Sequence, residues 1–346
     1  MMHWQWDWQW ILGAAAIFAL LLLLAGYGYE RFGEVQEAKR HPAPGRMVTV
    51  GARRLHILCK GSAVPTVIIE QGAGEPARLW WPVQERVAEF ARVCTYDRAG
   101  YGWSDAAPAG RTVSERVDEL HTLLVNGNVP GPYVFVAHSY GGLMVREFAQ
   151  KYPGEVAGLV LVDTPEEGTI FRRDVLEFHA RMRGIQRVVE FAAGVGVLRL
   201  LNHWVALDGV GFPFVRPGEY AAARDDIASI KRVPMAMREP AANGQLGDLP
   251  VVVITHGQPF PGPFAVLENG WSEGQQRLAG LSSNGLLIVA HKSNHMIQHD
   301  EPELVVDAIC RVHAAARDQA RLADEPGSSM SSVADARRDR VDLRLR

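Results

Sequence analysis

Cysteine is scarce in this chain: Cys59, Cys94 and Cys310 are the three among 346 residues. Their spacing matches neither a metal-binding cluster nor a disulfide framework. No basic block runs through the body of the chain, and 36 Lys and Arg face 39 Asp and Glu for a net charge of -3. That balance lacks the electrostatic footprint of a nucleic-acid-binding protein. No internal repeat is present. Two further absences are local: residues 1 to 10 contain no Lys or Arg, and Ile11 to Tyr29 contains no charged residue.

The uncharged stretch holds Leu20-Leu21-Leu22-Leu23-Leu24. As a helix, residues 11–29 reach about 28 Å, close to the thickness of a bilayer core. Trp4, Trp6, Trp8 and Trp10 precede the stretch, and Tyr27 and Tyr29 close it. Tryptophan and tyrosine favour the headgroup level. Residues 1–30 therefore read as a single-pass N-terminal anchor with the lipid bilayer as partner. A cleaved signal peptide is the rival reading, but it lacks its basic n-region. Arg31, Lys39, Arg40 and Arg46 follow the stretch, so charge counting puts the body in the cytoplasm.

Residues 31–46 are polar and end in His41-Pro42-Ala43-Pro44-Gly45, a linker pattern. The 47% hydrophobic content of the chain suits one large core-bearing domain, drawn here as residues 47–315. Short β patterns occur at Met47–Val50, Arg54–Leu58, Thr66–Glu70 and Arg92–Tyr96. Thr112 opens a helix with Glu115 completing a capping box, and Val113, Val117, Leu120 and Leu124 line its inner face. Fully apolar runs at Gly158–Val162, Leu249–Ile254 and Leu286–Ala290 alternate with helical patterns. This predicts an α/β fold with a mostly parallel sheet covered on both faces. Residues 165–247 break the rhythm with helical patterns interrupted by Phe212-Pro213-Phe214 and Arg216-Pro217-Gly218, and read as an inserted cap. The tail, 316–346, is charged and reads as disordered.

The chemistry concentrates at Val136-Ala137-His138-Ser139-Tyr140-Gly141-Gly142. An apolar run enters a small-x-Ser-x-Gly turn and a helical pattern follows, the context of a nucleophile elbow. A serine hydroxyl needs a base to take its proton and a carboxylate to hold that base. His295 follows the last strand pattern and is the candidate base, with His291 and His299 as neighbouring alternatives. For the acid, the segment after Ile254 has no carboxylate until Glu268, whereas Asp163 directly ends a strand. Asp163 is the first candidate, Glu268 the alternative, and Glu166 and Glu167 lesser ones. The loop Gln71-Gly72-Ala73-Gly74 follows an early strand, so the amides of Ala73 and Tyr140 are the candidate oxyanion donors. It lacks the ending of a phosphate-binding P-loop. Trp80 and Trp103 are candidate pocket walls. Tyr96-Asp97-Arg98-Ala99-Gly100-Tyr101-Gly102 reads as a structured turn beside the site. No metal and no cofactor is expected.

These segments, collinear over residues 47 to 312, resemble the α/β-hydrolase-fold family in its capped, single-serine form. Ala137 stands where that family usually has glycine, and Gln71 where it usually has histidine. In haloalkane dehalogenases of this fold the acid can lie after the strand that follows the elbow, which corresponds to Asp163. Their aspartate nucleophile is replaced here by Ser139, so their chemistry is not implied. The resemblance implies hydrolysis of an ester or related acyl bond in a small-molecule substrate. A non-catalytic receptor or binding module and a cofactor-free perhydrolase are the competing readings. The fold also implies that the strands carrying Cys59 and Cys94 are neighbours. A bridge there needs an oxidising compartment, and two buried free thiols are the alternative.

Overall fold

The computed structural model describes residues 8–205, 216–234 and 241–322. Trp4, Trp6, Phe212-Pro213-Phe214 and residues 323–346 of the tail lie outside the described residues. The elements in chain order are α1 (Trp8–Arg40), β1 (Arg46–Val50), β2 (Arg53–Lys60), β3 (Thr66–Glu70), α2 (Trp81–Val87), β4 (Val93–Tyr96), α3 (Val113–Asn126), β5 (Tyr133–His138), α4 (Gly141–Lys151) and β6 (Val156–Val162). There follow α5 (Glu167–Ile170), α6 (Arg173–Gly194), α7 (Val197–Val205), α8 (Pro217–Ser229), β7 (Val251–His256), α9 (Trp271–Ala279), β8 (Gly285–Ala290), α10 (Ile297–Asp300) and α11 (Pro302–Asp318).

Eight strands form one sheet in the order β1-β2-β4-β3-β5-β6-β7-β8. The pairs β1–β2 and β2–β4 are antiparallel, and the remaining five pairs are parallel. The sheet explains why its central strands are apolar at every position. Successive side chains leave a strand on opposite faces. Ile68, Phe135, Ala137, Leu159, Leu161 and Val253 join one core with residues of α3 and α4. Their neighbours Val67, Val134, Val136, Val160, Val162 and Val252 join a second core with residues of α2 and α11. Helix α3 starts at the expected Thr112–Glu115 capping box and buries the expected face.

The described residues form two compact units: 8–43 with 184–205 and 216–221, and 44–183 with 222–234 and 241–322. Of the segment expected as a cap, described residues 165–183, 222–234 and 241–247 group with the sheet, and described residues 184–205 and 216–221 with the other unit. The polar stretch after Tyr29 is helical where a linker is expected. It continues α1 as helix to Arg40, consistent with the run of helix formers Glu34, Gln36, Glu37, Ala38, Lys39 and Arg40 before the Pro42 break. Helix α1 is long and apolar enough to cross a membrane.

The strands carrying Cys59 and Cys94 are antiparallel neighbours with the two residues directly opposite, and they are disulfide-bonded. Cys310 lies outside this bridge and is buried.

Candidate active site

Parallel strands in a sheet end on the same side, so the residues just past those ends converge. Ser139 follows β5, Asp163 follows β6, His256 ends β7, His295 lies in the loop after β8, and Gln71–Gly74 follows β3.

Ser139 sits at a φ of +49°, a left-handed conformation that costs an ordinary residue energy and must be held by its surroundings. The hold is visible. Its amide donates to the Val162 carbonyl at 3.1 Å, and the Gly142 amide donates back to the Ser139 carbonyl at 2.9 Å. A Cβ on Gly141 would lie 2.6 Å from the Glu70 carbonyl oxygen, so the turn closes only with glycine there.

His295 Nε2 lies 3.0 Å from Ser139 Oγ, and its Nδ1 lies 2.7 Å from Asp163 Oδ2. A carboxylate only accepts hydrogen bonds. Nδ1 therefore carries the proton, and Nε2 presents its lone pair to the serine hydroxyl. The His295 loop is pinned from two sides. Glu301 accepts from the Lys292 amide and the Ser293 hydroxyl, and His138 Nε2 lies 2.9 Å from the His295 carbonyl oxygen.

Asp163 is fully buried and holds more than one imidazole. Its Oδ1 accepts from Trp271 Nε1 at 2.9 Å and from the His256 amide at 3.2 Å. His256 Nδ1 lies 2.8 Å from both of its oxygens. Burial works against the charge on Asp163. The hydrogen bonds from His256 and His295 outweigh it and hold the carboxyl far below its ordinary range. Burial likewise opposes charge on His256, but Asp163 and Glu268 raise its pKa. For His295, burial lowers the pKa and the nearby His138 adds to that, against the pull of Asp163.

Glu268 does not reach His295. It contacts His256 Nε2 at 3.4 Å and accepts from the Phe260 amide at 3.1 Å. Glu166 pairs with Arg277 and Glu167 with Arg146, and His291 and His299 are exposed. Trp80 is not a pocket wall: it is fully buried in the core, with its indole donating to Glu75. Trp103 stacks on Trp81 and lies near His56, whose ring is held by Asp97 at 2.9 Å.

The loop Gln71–Gly74, the candidate oxyanion loop, is oriented from below. Arg98 donates to the carbonyls of Gln71 at 2.7 Å and Gly72 at 2.6 Å. In a trans peptide the carbonyl and the next N–H point oppositely, so the Ala73 N–H is turned away from Arg98. Among the described residues, neither the Ala73 nor the Tyr140 amide donates to a backbone carbonyl. Arg98 is itself buried between Glu70 and Asp226. The expected structured turn is thus a buried ionic brace.

Two histidines escaped the sequence reading. His256 gave no signal beyond standing where an acid is usual. His138 lies inside the elbow motif, yet its partner Glu75 is distant in sequence. His138 Nδ1 is 2.6 Å from Glu75, and both side chains are nearly inaccessible. Burial pushes the Glu75 pKa up, but His138, Trp80 and the Gly72 amide bring it to about 2. Burial lowers that of His138, and Glu75 more than restores it.

A family model described as alpha/beta hydrolase fold matches residues 65–191. Bacillus subtilis (strain 168) protein YqjL, itself uncharacterized, is 28% identical over 266 residues, which cover 75% of this chain and 88% of that protein. YbdG of the same organism, also uncharacterized, is 27% identical over 163 residues, covering 46% of this chain and 50% of that protein. Among solved structures, an alpha/beta hydrolase fold protein from Burkholderia ambifaria superposes with a TM-score of 0.53 at 25% identity, covering 77% of this chain and 98% of that one.

Proposed function

We propose that this chain, which has the α/β-hydrolase fold, is a membrane-anchored serine hydrolase that cleaves an ester or related acyl bond. The observation that carries this reading is the continuous hydrogen-bonded run from Ser139 Oγ through His295 to Asp163. In the proposed reaction Ser139 Oγ attacks the acyl carbon while its proton passes to His295 Nε2. The amides of Ala73 and Tyr140 receive the developing oxyanion. His295 then protonates the leaving group, and water, activated by the same imidazole, releases the acyl group from Ser139. Asp163 stays ionised throughout, holds the tautomer and stabilises the imidazolium. The anchor is residues 11–29 of α1.

A fluorophosphonate probe tests the reading, because it labels only an activated serine. The wild-type protein should be labelled and should hydrolyse p-nitrophenyl esters. Ser139→Ala should lose the label and lower kcat at least about a thousandfold while remaining folded. An unlabelled wild-type protein would favour the binding-module reading. Peroxide-dependent halogenation by the purified protein would favour the perhydrolase.

A further inference from the structure

Helix α1 does not stand alone. A Cβ on Gly26 would lie 2.3 Å from the Val195 carbonyl oxygen, and one on Gly196 would lie 2.9 Å from the Gly26 carbonyl oxygen. The corner between α6 and α7 thus touches α1 backbone to backbone. Gly26 lies three residues before Tyr29, the end of the uncharged stretch, or about 5 Å along the helix. The corner is therefore held at a depth inside the proposed span. One turn on, the first charged residue after the stretch, Glu30, is 1% exposed. Arg199 of α7 grips both of its oxygens at 2.8 and 2.9 Å. A carboxylate at the edge of a bilayer needs such a partner.

The helices on either side of this corner turn apolar side chains outward. Ile185, Val188 and Phe191 of α6 recur at three-residue steps, with Val188 69% and Phe191 61% exposed. Val197, Leu200 and Leu201 of α7 are exposed as well. Apolar side chains left in water forgo the gain of burial, and a cluster of them marks an interaction surface. The apolar surface continues onto α1, where Leu20 to Leu24, Tyr27 and Tyr29 are also exposed.

We infer that Ile185, Val188, Phe191, Val197, Leu200 and Leu201 enter the bilayer beside α1, so that the α6–α7 corner is a second, non-spanning membrane element. The contact at Gly26 sets its depth, and the Glu30–Arg199 pair lies at the level where polar groups resume. The exposed Arg187 sits on the same helix within reach of headgroup phosphates. This inference rests on reading α1 as a span.

The test uses the full-length chain in vesicles of phosphatidylcholine and phosphatidylglycerol, with or without a nitroxide on the acyl chains. Cys59 and Cys94 are bridged and Cys310 is buried, so a single introduced cysteine is the reactive thiol for a bimane fluorophore. Val188→Cys, Phe191→Cys and Leu200→Cys probe the corner, on two helices so that one misfolded variant does not decide. Leu21→Cys reports on the span, and Val125→Cys, exposed on α3, reports on water. Labels at the three corner positions should be quenched severalfold more than at Val125 and comparably to Leu21. Quenching at Leu21 without quenching at the corner overturns the inference and leaves the anchor standing. No quenching at Leu21 either overturns both. Corner labels quenched only by a nitroxide on a second copy of the chain would replace the bilayer with self-association, and would also overturn it.

Discussion

Asp163 is the residue on which the proposed site turns, because one buried carboxylate serves two imidazoles and an indole. Asp163→Asn should lower kcat/KM by about three to four orders of magnitude, through loss of the tautomer lock and of the charge opposite His295. Glu268→Gln, at a side chain bonded to His256 and the Phe260 amide, should change it little. His256→Gln should fall between, at about tenfold, because it removes one charged hydrogen bond to a carboxylate that keeps its others. Steady-state kinetics on one ester orders the three, and greater damage from Glu268→Gln would move the acid there. The pair Glu75–His138 makes a separate, pH-dependent claim. Burial and the neighbouring His138 lower the pKa of His295, so His138→Gln should move the acid limb of kcat/KM to higher pH. The stability signs are also definite. The pKa of His138 is raised above 6.5, so its contribution is complete below that value and is lost as pH rises through the raised one. That of Glu75 is lowered from 4.5 to about 2, so its contribution is complete above 4.5 and is lost as pH falls toward 2. The pair therefore stabilises most between about pH 4.5 and 6.5. The Tm advantage of wild type over His138→Gln should be larger at about pH 6 than at about pH 9.

At the scale of elements, β2 and β4 carry the covalent feature of the sheet. Cys59 and Cys94 face each other across an antiparallel pair and close a loop with a sequence separation of 35. Cross-linking a loop of that length stabilises a domain by about 2–4 kcal/mol, chiefly by restricting the unfolded chain. Denatured, unreduced protein should therefore show one reactive thiol, Cys310, and three after reduction. Reduction should also lower the denaturation midpoint. Three free thiols in protein taken directly from cells would show that the bridge does not form there. One free thiol would place the domain in an oxidising compartment, against the side favoured by the four basic residues after the anchor.

At the scale of the whole molecule, the proposed anchor and the proposed α6–α7 membrane element would be held by burial of apolar surface, which salt does not screen. Full-length protein should stay with the membrane fraction through carbonate and high-salt washes and need detergent for release. Release by salt alone would show peripheral attachment, and a mature N-terminus near Tyr27 would show a cleaved signal. The extraction experiment reads the anchor independently of activity, and the kinetic variants read the site independently of the anchor.

Much of this protein was written locally. The uncharged stretch Ile11–Tyr29, the Thr112 capping box, the apolar strand runs and the Ser139 turn each depend on residues within a few positions of one another. Short-range sterics and periodicity are enough to read them. The convergence of Ser139, His295 and Asp163 was also legible, because strand ends in a parallel sheet gather on one side whatever the intervening chain does. The tertiary structure decided what lies across long sequence separations: Glu75 under His138, His256 on the far side of Asp163, Arg98 behind the Gln71–Gly74 loop, and Arg199 on Glu30. Buried charges take the partner that packing brings within about 3 Å, and no local pattern names that partner. Trp80 shows the same limit in reverse. Its type and position suited a pocket wall, but only the packing around it reveals that its indole is buried against Glu75.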